Sequence, residues 1–220
     1  MNAEVDRLID LRPFLYHLTA GSNLAHVRRL RRLVAAGEIL SQAGESSRIR
    51  VVRRGPLHVR WNGAEVELRD QDPFFAANVA FDPGHDEGDV LAMLNARVFF
   101  WPGGPAGPIE YGVRHFNRYA SSKAAVIRVT FGDLLHANSG ATPELCAYNS
   151  GAPRCSGGRK SPRGAGTFVA AARFPRSPAQ VKEVTFVGSV VLPDSTEVAH
   201  APGGPWSQLW RARHTTTSCT

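Results

Sequence analysis

Cysteine is scarce in this sequence, and long apolar runs are missing altogether. The three cysteines, Cys146, Cys155 and Cys219, form no CxxC pair and no Cys/His spacing that would hold zinc. Their odd number argues against a disulfide framework, so free thiols are expected. No segment approaches the ~20 apolar residues of a membrane helix, and the first residues lack the basic and apolar regions of a signal peptide. These absences lead us to expect a cytoplasmic protein without a membrane partner.

Lysine is also rare, and the basic character of the chain comes almost entirely from arginine. Lysine occurs only at Lys123, Lys160 and Lys182, although the net charge is +7 and the pI is near 9.9. This balance favours a polyanionic partner such as nucleic acid or a dinucleotide, with a solvated arginine-rich surface as the alternative. The length of 220 residues favours one domain. We expect its core at residues 12–195 and a polar tail at residues 196–220.

Hydrophobic periodicity and turn residues predict an α+β mixture rather than a Rossmann or P-loop domain. The Asn62-Gly63 pair between two alternating segments predicts a hairpin over residues 57–68. Further helices are predicted at residues 90–96, 111–122 and 133–136. Strands are predicted at residues 14–19, 97–101, 124–131, 167–172, 181–186 and 189–192, with a long loop at 138–166.

The stretch around His17 is the part of the sequence on which the functional argument depends. Strand alternation places His17 and Thr19 on one face of a short strand, just before a turn. A basic amphipathic helix is predicted to follow, with Ser22 or Asn23 as its N-cap and Gly37 at its C-terminal end. The pattern puts two polar side chains beside a structured turn, although a lone histidine is more often a partly buried core residue.

The phrase Tyr16-His17-Leu18-Thr19, followed by this helix, resembles the opening of ADP-ribosyltransferases, especially the DarT-like DNA ADP-ribosyltransferases. It also resembles a bacterial family of unknown function that is usually described as ADP-ribosyltransferase-like. The resemblance implies an ADP-ribosyltransferase-like split, twisted β-sheet with flanking helices. It further implies that His17, Thr19 and Asn23 bind NAD on its ribose and nicotinamide side, and that His17 also takes part in catalysis.

Residues 68–71 and 94–102 carry a second part of the resemblance. In ADP-ribosyltransferases the comparable strand is followed by a helix that supplies an aromatic side chain stacking on nicotinamide. The resemblance assigns this role to Tyr119, with Tyr111 as the second choice. A tyrosine that merely packs the helix against the sheet is the alternative.

Two arginines in these segments are candidates for contacts to NAD. A guanidinium group can clamp a pyrophosphate with two parallel hydrogen bonds, and Arg69 or Arg97 can supply it. DarT-like enzymes also use an arginine in catalysis, and the resemblance leads us to assign that role to Arg97.

Glu183 is the candidate catalytic carboxylate. Residues 148–151, 163–168 and 181–184 carry the third part of the resemblance, and the last segment looks like the glutamate-bearing strand of DarT-like enzymes. Alternation places Glu183 and Thr185 on the face opposite Val184, with a solvent-facing edge position as the alternative. Cleavage of the nicotinamide–ribose bond develops positive charge on the sugar, which a carboxylate stabilises. The same carboxylate can deprotonate an acceptor.

The expected function is therefore NAD-dependent transfer of ADP-ribose to an acceptor, in the manner of a toxin that modifies nucleic acid. Basic loops at residues 45–54 and 154–163 favour a nucleic acid or nucleotide acceptor. A catalytically inactive binding module of the same fold is the first alternative, and an RNA 2′-phosphotransferase-like enzyme is the second. No metal site is expected, because adjacent residues such as His85, Asp86 and Glu87 rarely converge on one ion.

Overall fold

Helices and strands alternate irregularly along residues 3–210, the part of the chain that the computed structural model describes. The helices are α1 (Ala3–Leu11), α2 (Leu24–Leu30), α3 (Ala36–Gln42), α4 (Glu87–Asn95), α5 (Glu110–Arg118) and α6 (Phe131–Ala137). The strands are β1 (Phe14–Ala20), β2 (Arg32–Val34), β3 (Leu57–Trp61), β4 (Ala64–Leu68), β5 (Val79–Phe81), β6 (Arg97–Gly104), β7 (Gly107–Pro108), β8 (Ala124–Thr130), β9 (Glu144–Cys146), β10 (Ser161–Arg163), β11 (Val169–Ala170), β12 (Glu183–Val187), β13 (Ser189–Val191), β14 (Glu197–Ala199) and β15 (Ser207–Gln208). This is the α+β mixture that the sequence predicts.

The main sheet has the strand order β11-β9-β12-β6-β1-β8-β14-β15, and β7 pairs with β6 beside this path. Its pairings are antiparallel. Three two-stranded sheets accompany it: the β3–β4 hairpin, the antiparallel pair β2–β13 and the parallel pair β5–β10. The predicted hairpin is confirmed, because Asn62 and Gly63 both adopt positive φ, at 52° and 75°, as a tight hairpin turn requires.

Strand β6 changes its partner along its length, and this splits the main sheet. Residues 101–103 of β6 pair with β1, whereas residues 97–100 pair with β12. Past Tyr16, strand β1 leaves β6 but stays paired with β8 up to Ala20. The sheet therefore opens between β1 and β6 just where His17 and Thr19 are located.

The hydrophobic core lies mainly on one face of this sheet. Alternate residues such as Leu15, Phe100 and Phe186 pack there against α1, α2 and α6. The opposite face carries two smaller clusters, one around Tyr16 and the other around Phe74. A fourth cluster packs the β3–β4 hairpin on α3. The hairpin, α2 and α3 thus form a separate wall beside the opening between β1 and β6.

The helix after β1 is shorter than the sequence predicts. It ends at Leu30 because Arg31 adopts a left-handed conformation with φ of 54°, and the chain then forms β2. Neither Ser22 nor Asn23 caps it with a side-chain hydrogen bond. Gly37 does not end this helix but lies inside α3, where a Cβ atom would sit 2.9 Å from the carbonyl oxygen of Asn95. Glycine is therefore needed for close approach of α3 to α4.

Several other boundaries also differ from the prediction. Strand β6 continues to Gly104 instead of ending at Trp101, and the predicted loop at 138–166 contains β9 and β10. The segment 189–192 pairs with β2 and not with the main sheet. Strand β14 joins the main sheet, although the sequence assigns it to a polar tail. The remainder of that predicted tail, from residue 211 and including Cys219, lies outside the described residues.

None of the helices within residues 3–210 combines the length and the hydropathy needed to span a membrane.

We predict that Gly103→Ala destabilises the fold by about 1–3 kcal/mol, because the new methyl group has no room. A Cβ atom there would lie 2.6 Å from Pro108 Cα and 2.8 Å from Tyr16 Cε2. Gly104→Ala is the matched control, since nothing lies within 4 Å of its Cβ position. Urea denaturation measures both free energies of unfolding, and equal losses in the two variants would contradict the prediction.

Candidate functional site

A cavity of about 260 Å³ opens where β1 and β6 separate. Its walls come from β1, β6, β12, α2, the β3–β4 hairpin and the segment after β9. The cavity brings together most of the residues singled out in the sequence: His17, Thr19, Asn23, Arg69, Arg97, Tyr119 and Glu183. Tyr111 is not among its lining residues.

His17 bridges the opening between the two strands. Its Nδ1 lies 2.9 Å from the carbonyl oxygen of Phe99 on β6. Because a carbonyl can only accept, Nδ1 carries the proton and Nε2 is left as an acceptor. Burial lowers the pKa of His17 to about 4, with a further decrease from the Arg69 cation and an opposing effect of the Phe99 hydrogen bond. The imidazole is therefore neutral at physiological pH.

Asn23 ties the end of β1 to the hairpin. Its side-chain amide donates to Thr19 Oγ1 at 3.2 Å and to the Glu67 carbonyl at 2.9 Å. Its carbonyl oxygen accepts from the Glu67 N–H at 3.0 Å. Asn23 is thus engaged in holding the cavity walls together, and it orients the Thr19 hydroxyl at the cavity surface.

Arg69 and Tyr119 form a fixed pair at the cavity wall. The Arg69 guanidinium lies 4.9 Å above the Tyr119 ring, and the Tyr119 hydroxyl donates to Asp70 at 2.9 Å. Burial lowers the pKa of Arg69 to about 10, so it remains charged at neutral pH. Burial and the hydrogen bond to Asp70 raise the pKa of Tyr119 to about 12. The pair presents one cation and one neutral phenol.

His115 and Trp101 complete this wall, although the sequence did not identify either as a site residue. The His115 ring lies 4.6 Å from that of Trp101 and 5.1 Å from that of Tyr119, and His115 Nε2 lies 3.3 Å from Arg69 Nη1. Burial, with Arg69 as the next cause, holds the pKa of His115 well below its usual value. Helical spacing places His115 four residues before Tyr119, and this spacing is the sequence signal that could have found it.

Glu183 is the buried carboxylate of the cavity, with only 3% of its surface exposed. Strand β12 lies between β6 and β9, so the alternative of a solvent-facing edge position is wrong. Oε1 accepts from the Ser150 main-chain N–H at 3.1 Å, whereas Oε2 has no partner among residues 3–210. Burial raises the pKa of Glu183 to about 7, against opposing effects of Ser150 and of the Arg163 cation.

Arg163 holds the segment that contacts Glu183. Its guanidinium donates to the carbonyl oxygens of Ser150 at 3.0 Å, Asn149 at 2.9 Å and Pro162 at 2.8 Å. It also lies 4.3 Å above the Tyr148 ring and is 2% exposed. The three phrases at residues 148–151, 163–168 and 181–184 therefore meet in space, with Arg163 as a positioning residue for Glu183 through Ser150.

Arg97 lines the cavity with its charge already paired, whereas Tyr111 lies outside the cavity. The Arg97 guanidinium donates to Glu144 at 2.7 Å and to the Met93 carbonyl at 2.7 Å, so it is already engaged in a half-buried ion pair. Tyr111 is 37% exposed and lies near Lys182, outside the cavity. Of the two arginine candidates only Arg69 offers its charge to the cavity, and of the two tyrosines only Tyr119 lines it.

A polar network behind the cavity fixes the main chain at Arg69. Arg53 donates to the Arg69 carbonyl at 3.1 Å and to Asn95 Oδ1 at 2.9 Å, and Gln71 donates to the same Asn95 oxygen at 3.2 Å. Asn95 in turn donates to the Ile49 carbonyl at 2.8 Å. The sequence did not single out Arg53 or Asn95, because their roles depend on contacts between distant segments.

The described residues contain no group of three or more His, Cys, Asp or Glu side chains that could hold a metal ion. Asp86, which lies in the His85-Asp86-Glu87 run, instead caps α4 by accepting from the Asp89 N–H at 2.7 Å. The polar groups that line the cavity include the Glu183 and Asp70 carboxylates, the Tyr119 phenol, three imidazoles and the Arg69 guanidinium. Such a set can bind a polar organic substrate, stabilise positive charge and move one proton.

A model of a family of unknown function (DUF7002) matches residues 13–196, which include all the cavity residues described above. No curated protein and no solved structure matches the chain.

We predict that Glu183→Gln stabilises the protein above neutral pH. A carboxyl group whose pKa is raised from 4.5 to about 7 stabilises the fold fully below pH 4.5 and loses that contribution as the pH rises through 7. At about 1.4 kcal/mol for each pH unit, the loss in the wild type is on the order of 3 kcal/mol.

The measurement is the melting temperature of both proteins from acidic to alkaline pH. The advantage of Glu183→Gln should grow between pH 4.5 and 7 and then level off. Glu65→Gln is the control, because Glu65 is exposed on the hairpin. A pH-independent difference between the wild type and Glu183→Gln would contradict the burial of an ionisable carboxyl group.

Proposed function

Because the chain belongs to the DUF7002 family, whose function is unknown, its activity has to be argued from the cavity, and we propose that it is an NAD-dependent ADP-ribosyltransferase. The observation that carries this proposal is the unpaired Oε2 of Glu183 in a cavity that also holds His17 and Arg69. A buried carboxylate with a free oxygen is costly to the fold, and such groups are concentrated at functional sites.

The fold supports the same proposal. An antiparallel sheet that splits beside a histidine-bearing first strand is the architecture that the sequence resemblance implies for ADP-ribosyltransferases. The split lies between β1 and β6, and the glutamate-bearing strand β12 is the next neighbour of β6. We therefore propose an ADP-ribosyltransferase-like sheet with NAD bound in the split.

Each cavity residue has a role in this proposal that follows from its protonation state. The neutral His17 and the Thr19 hydroxyl bind ribose hydroxyls, His17 through its free Nε2 acceptor. The Arg69 cation binds the pyrophosphate. Tyr119 is held by Asp70 and offers a fixed ring for stacking on nicotinamide. The cavity volume of about 260 Å³ lies just below the ~300–1,000 Å³ typical of ligand pockets.

The transfer exchanges one bond at the anomeric carbon for another. Nicotinamide leaves with the bonding electron pair, and the acceptor atom that replaces it loses a proton. The ionised Glu183 stabilises the positive charge that develops on the sugar, and it takes the proton of the acceptor. Because its pKa is about 7, Glu183 is ionised in a substantial fraction of molecules at neutral pH.

The acceptor proposed here is a nucleic acid or a nucleotide, and the two basic loops differ in how well they support it. In the loop at 45–54, Arg48 pairs with Glu45 and Arg50 pairs with Asp86 and Asp89. In the second loop, Arg154, Arg159 and Lys160 are exposed and have no carboxylate partner in the described part of the chain. This second loop begins two residues after Ala152, which lines the cavity.

The RNA 2′-phosphotransferase alternative fits the site less well. It needs several arginines that are free to bind phosphate in one cleft. The guanidinium groups of Arg53 and Arg97 are instead hydrogen-bonded to Asn95 and Glu144. Arg163 is occupied by main-chain carbonyl groups. A binding module without catalysis is the alternative that the following experiment tests.

We predict that the purified protein releases nicotinamide from NAD, and that Glu183→Gln lowers the rate by about 10²–10⁴-fold, the range for loss of one catalytic acid–base group. The acid limb of the pH profile should have an apparent pKa near 7, since only the carboxylate is active.

The assay separates released nicotinamide by chromatography. Glu65→Gln is the control, because it also replaces a carboxylate with an uncharged amide. If the wild type and Glu183→Gln release nicotinamide at the same background rate and both still bind NAD, the protein is a binding module and not an enzyme.

We predict that Arg159→Ala combined with Lys160→Ala weakens use of a single-stranded nucleic acid acceptor about three- to tenfold. The salt dependence of its KM should also fall, because each lost contact removes about 0.7 from the logarithmic slope. Arg48→Ala combined with Arg50→Ala changes the net charge equally, but these side chains are paired with carboxylates. Steady-state KM at several salt concentrations is the measurement. Equal changes of KM in the two double variants would contradict a specific contact and show that the interaction depends only on net charge.

A further inference from the structure

One part of the cavity is lined by residues that the proposed chemistry does not use. It lies where the hairpin faces α2 and α3, and we call it the hairpin compartment. Its lining residues are His26, Val27, Leu30, Ile39, Trp61 and Val66. All six are apolar except His26, and the polar Glu67 also lines the cavity from the hairpin.

His26 has a single protonation form that the surrounding atoms dictate. Arg29 Nη2 lies 3.1 Å from His26 Nδ1, and a guanidinium can only donate, so Nδ1 is an acceptor. The Arg29 guanidinium is itself held by the Asn62 carbonyl at 2.6 Å. Burial and the Arg29 cation lower the pKa of His26, which keeps the ring neutral with its proton on Nε2.

This Nε2–H group has no acceptor among the described residues, although His26 is only 8% exposed. A buried donor without a partner is unfavourable, and native proteins rarely keep one without a water or ligand to accept from it. Since His26 lines the cavity, its missing acceptor belongs to something that enters the hairpin compartment.

The neighbours of His26 restrict the chemistry of that group. The Trp61 ring lies 4.9 Å from the His26 ring, and its Nε1–H already donates to Gln42 at 2.7 Å, so Trp61 offers only an apolar ring. The remaining lining side chains of the compartment are aliphatic. The compartment thus fits a flat, largely apolar ring that carries a hydrogen-bond acceptor.

We propose that the hairpin compartment binds the purine base of the nucleotide substrate, with His26 Nε2–H donating to a ring nitrogen. This inference rests on the proposed function, because NAD carries two ring systems and the nicotinamide ring must lie near Glu183. A purine offers three unprotonated ring nitrogens and no charge, which matches one donor in an apolar setting. His26 is then a specificity-determining residue for the base.

The test is calorimetric binding of ADP-ribose, which needs no turnover. His26→Leu should weaken binding about five- to tenfold, as expected for loss of one buried hydrogen bond. His26→Gln should bind within about twofold of the wild type, because its amide can accept from Arg29 and still donate to the ligand. Ligand-free His26→Leu should melt no lower than the wild type, since it removes an unpaired donor. Unchanged affinity in His26→Leu would overturn the proposal.

Two further measurements identify the contact and guard against misfolding. Among 1-deaza-, 3-deaza- and 7-deazaadenosine, one should bind the wild type more weakly than adenosine does, and His26→Leu should not discriminate against it. Val66→Phe, which fills the compartment without altering His26, should also weaken ADP-ribose binding. If all three analogues bind the wild type as adenosine does, the ring-nitrogen contact is wrong.

The outcome for this inference is separable from that for the proposed function. Glu183→Gln is expected to lose nicotinamide release, whereas His26→Leu is expected to weaken ADP-ribose binding. His26-dependent binding without any nicotinamide release would uphold the base site and refute the transferase. Nicotinamide release together with ADP-ribose binding that does not depend on His26 would uphold the transferase and refute the base site.

Discussion

The opening between β1 and β6 depends on one hydrogen bond from a side chain to the main chain. Where two strands of a sheet separate, the N–H and C=O groups that had paired across them need other partners. His17 supplies one by donating to the Phe99 carbonyl on β6. A histidine can do this and still keep a second nitrogen for a ligand, which an apolar residue in the same strand cannot. The bond fixes the tautomer of His17, whereas burial keeps the ring neutral against the opposing effect of the bond on its pKa.

The site concentrates groups that are costly to bury, and the rest of the chain compensates for them. Arg69 and Glu183 both line the cavity, yet different interactions stabilise their charges. Arg69 is surrounded by an imidazole, a phenol ring and the Asp70 carboxylate. Glu183 accepts from one main-chain N–H, and its Oε2 has no hydrogen-bond partner within residues 3–210. The protein thus protects the cation well and leaves the carboxylate in a state where small changes in its surroundings alter its protonation.

Local patterns in the sequence predict the parts of this structure that depend on local physics. Alternation and turn chemistry correctly predict β1 and the hairpin at Asn62-Gly63, but alternation alone left open whether Glu183 faces the interior or solvent. They fail at Arg31, whose left-handed conformation ends α2 early, because the periodic apolar residues continue without interruption through Leu33. That segment leaves the helix to pair with β13, more than 150 residues later, and no local signal records such a pairing. The same reason explains why Arg163 was not recognised as a site residue, whereas the helical spacing between His115 and Tyr119 could have identified His115.

The clamp formed by Arg163 has a consequence for how this family can vary in sequence. Three carbonyl oxygens accept from one planar guanidinium, and a lysine ammonium cannot reproduce that fork, so drift from arginine to lysine should be rare at this position. Position 150 is under a different restriction, because its hydrogen bond to Glu183 comes from the main chain. There, proline is excluded because it has no N–H, and loss of the Ser150 hydroxyl would remove a second group that lowers the pKa of Glu183.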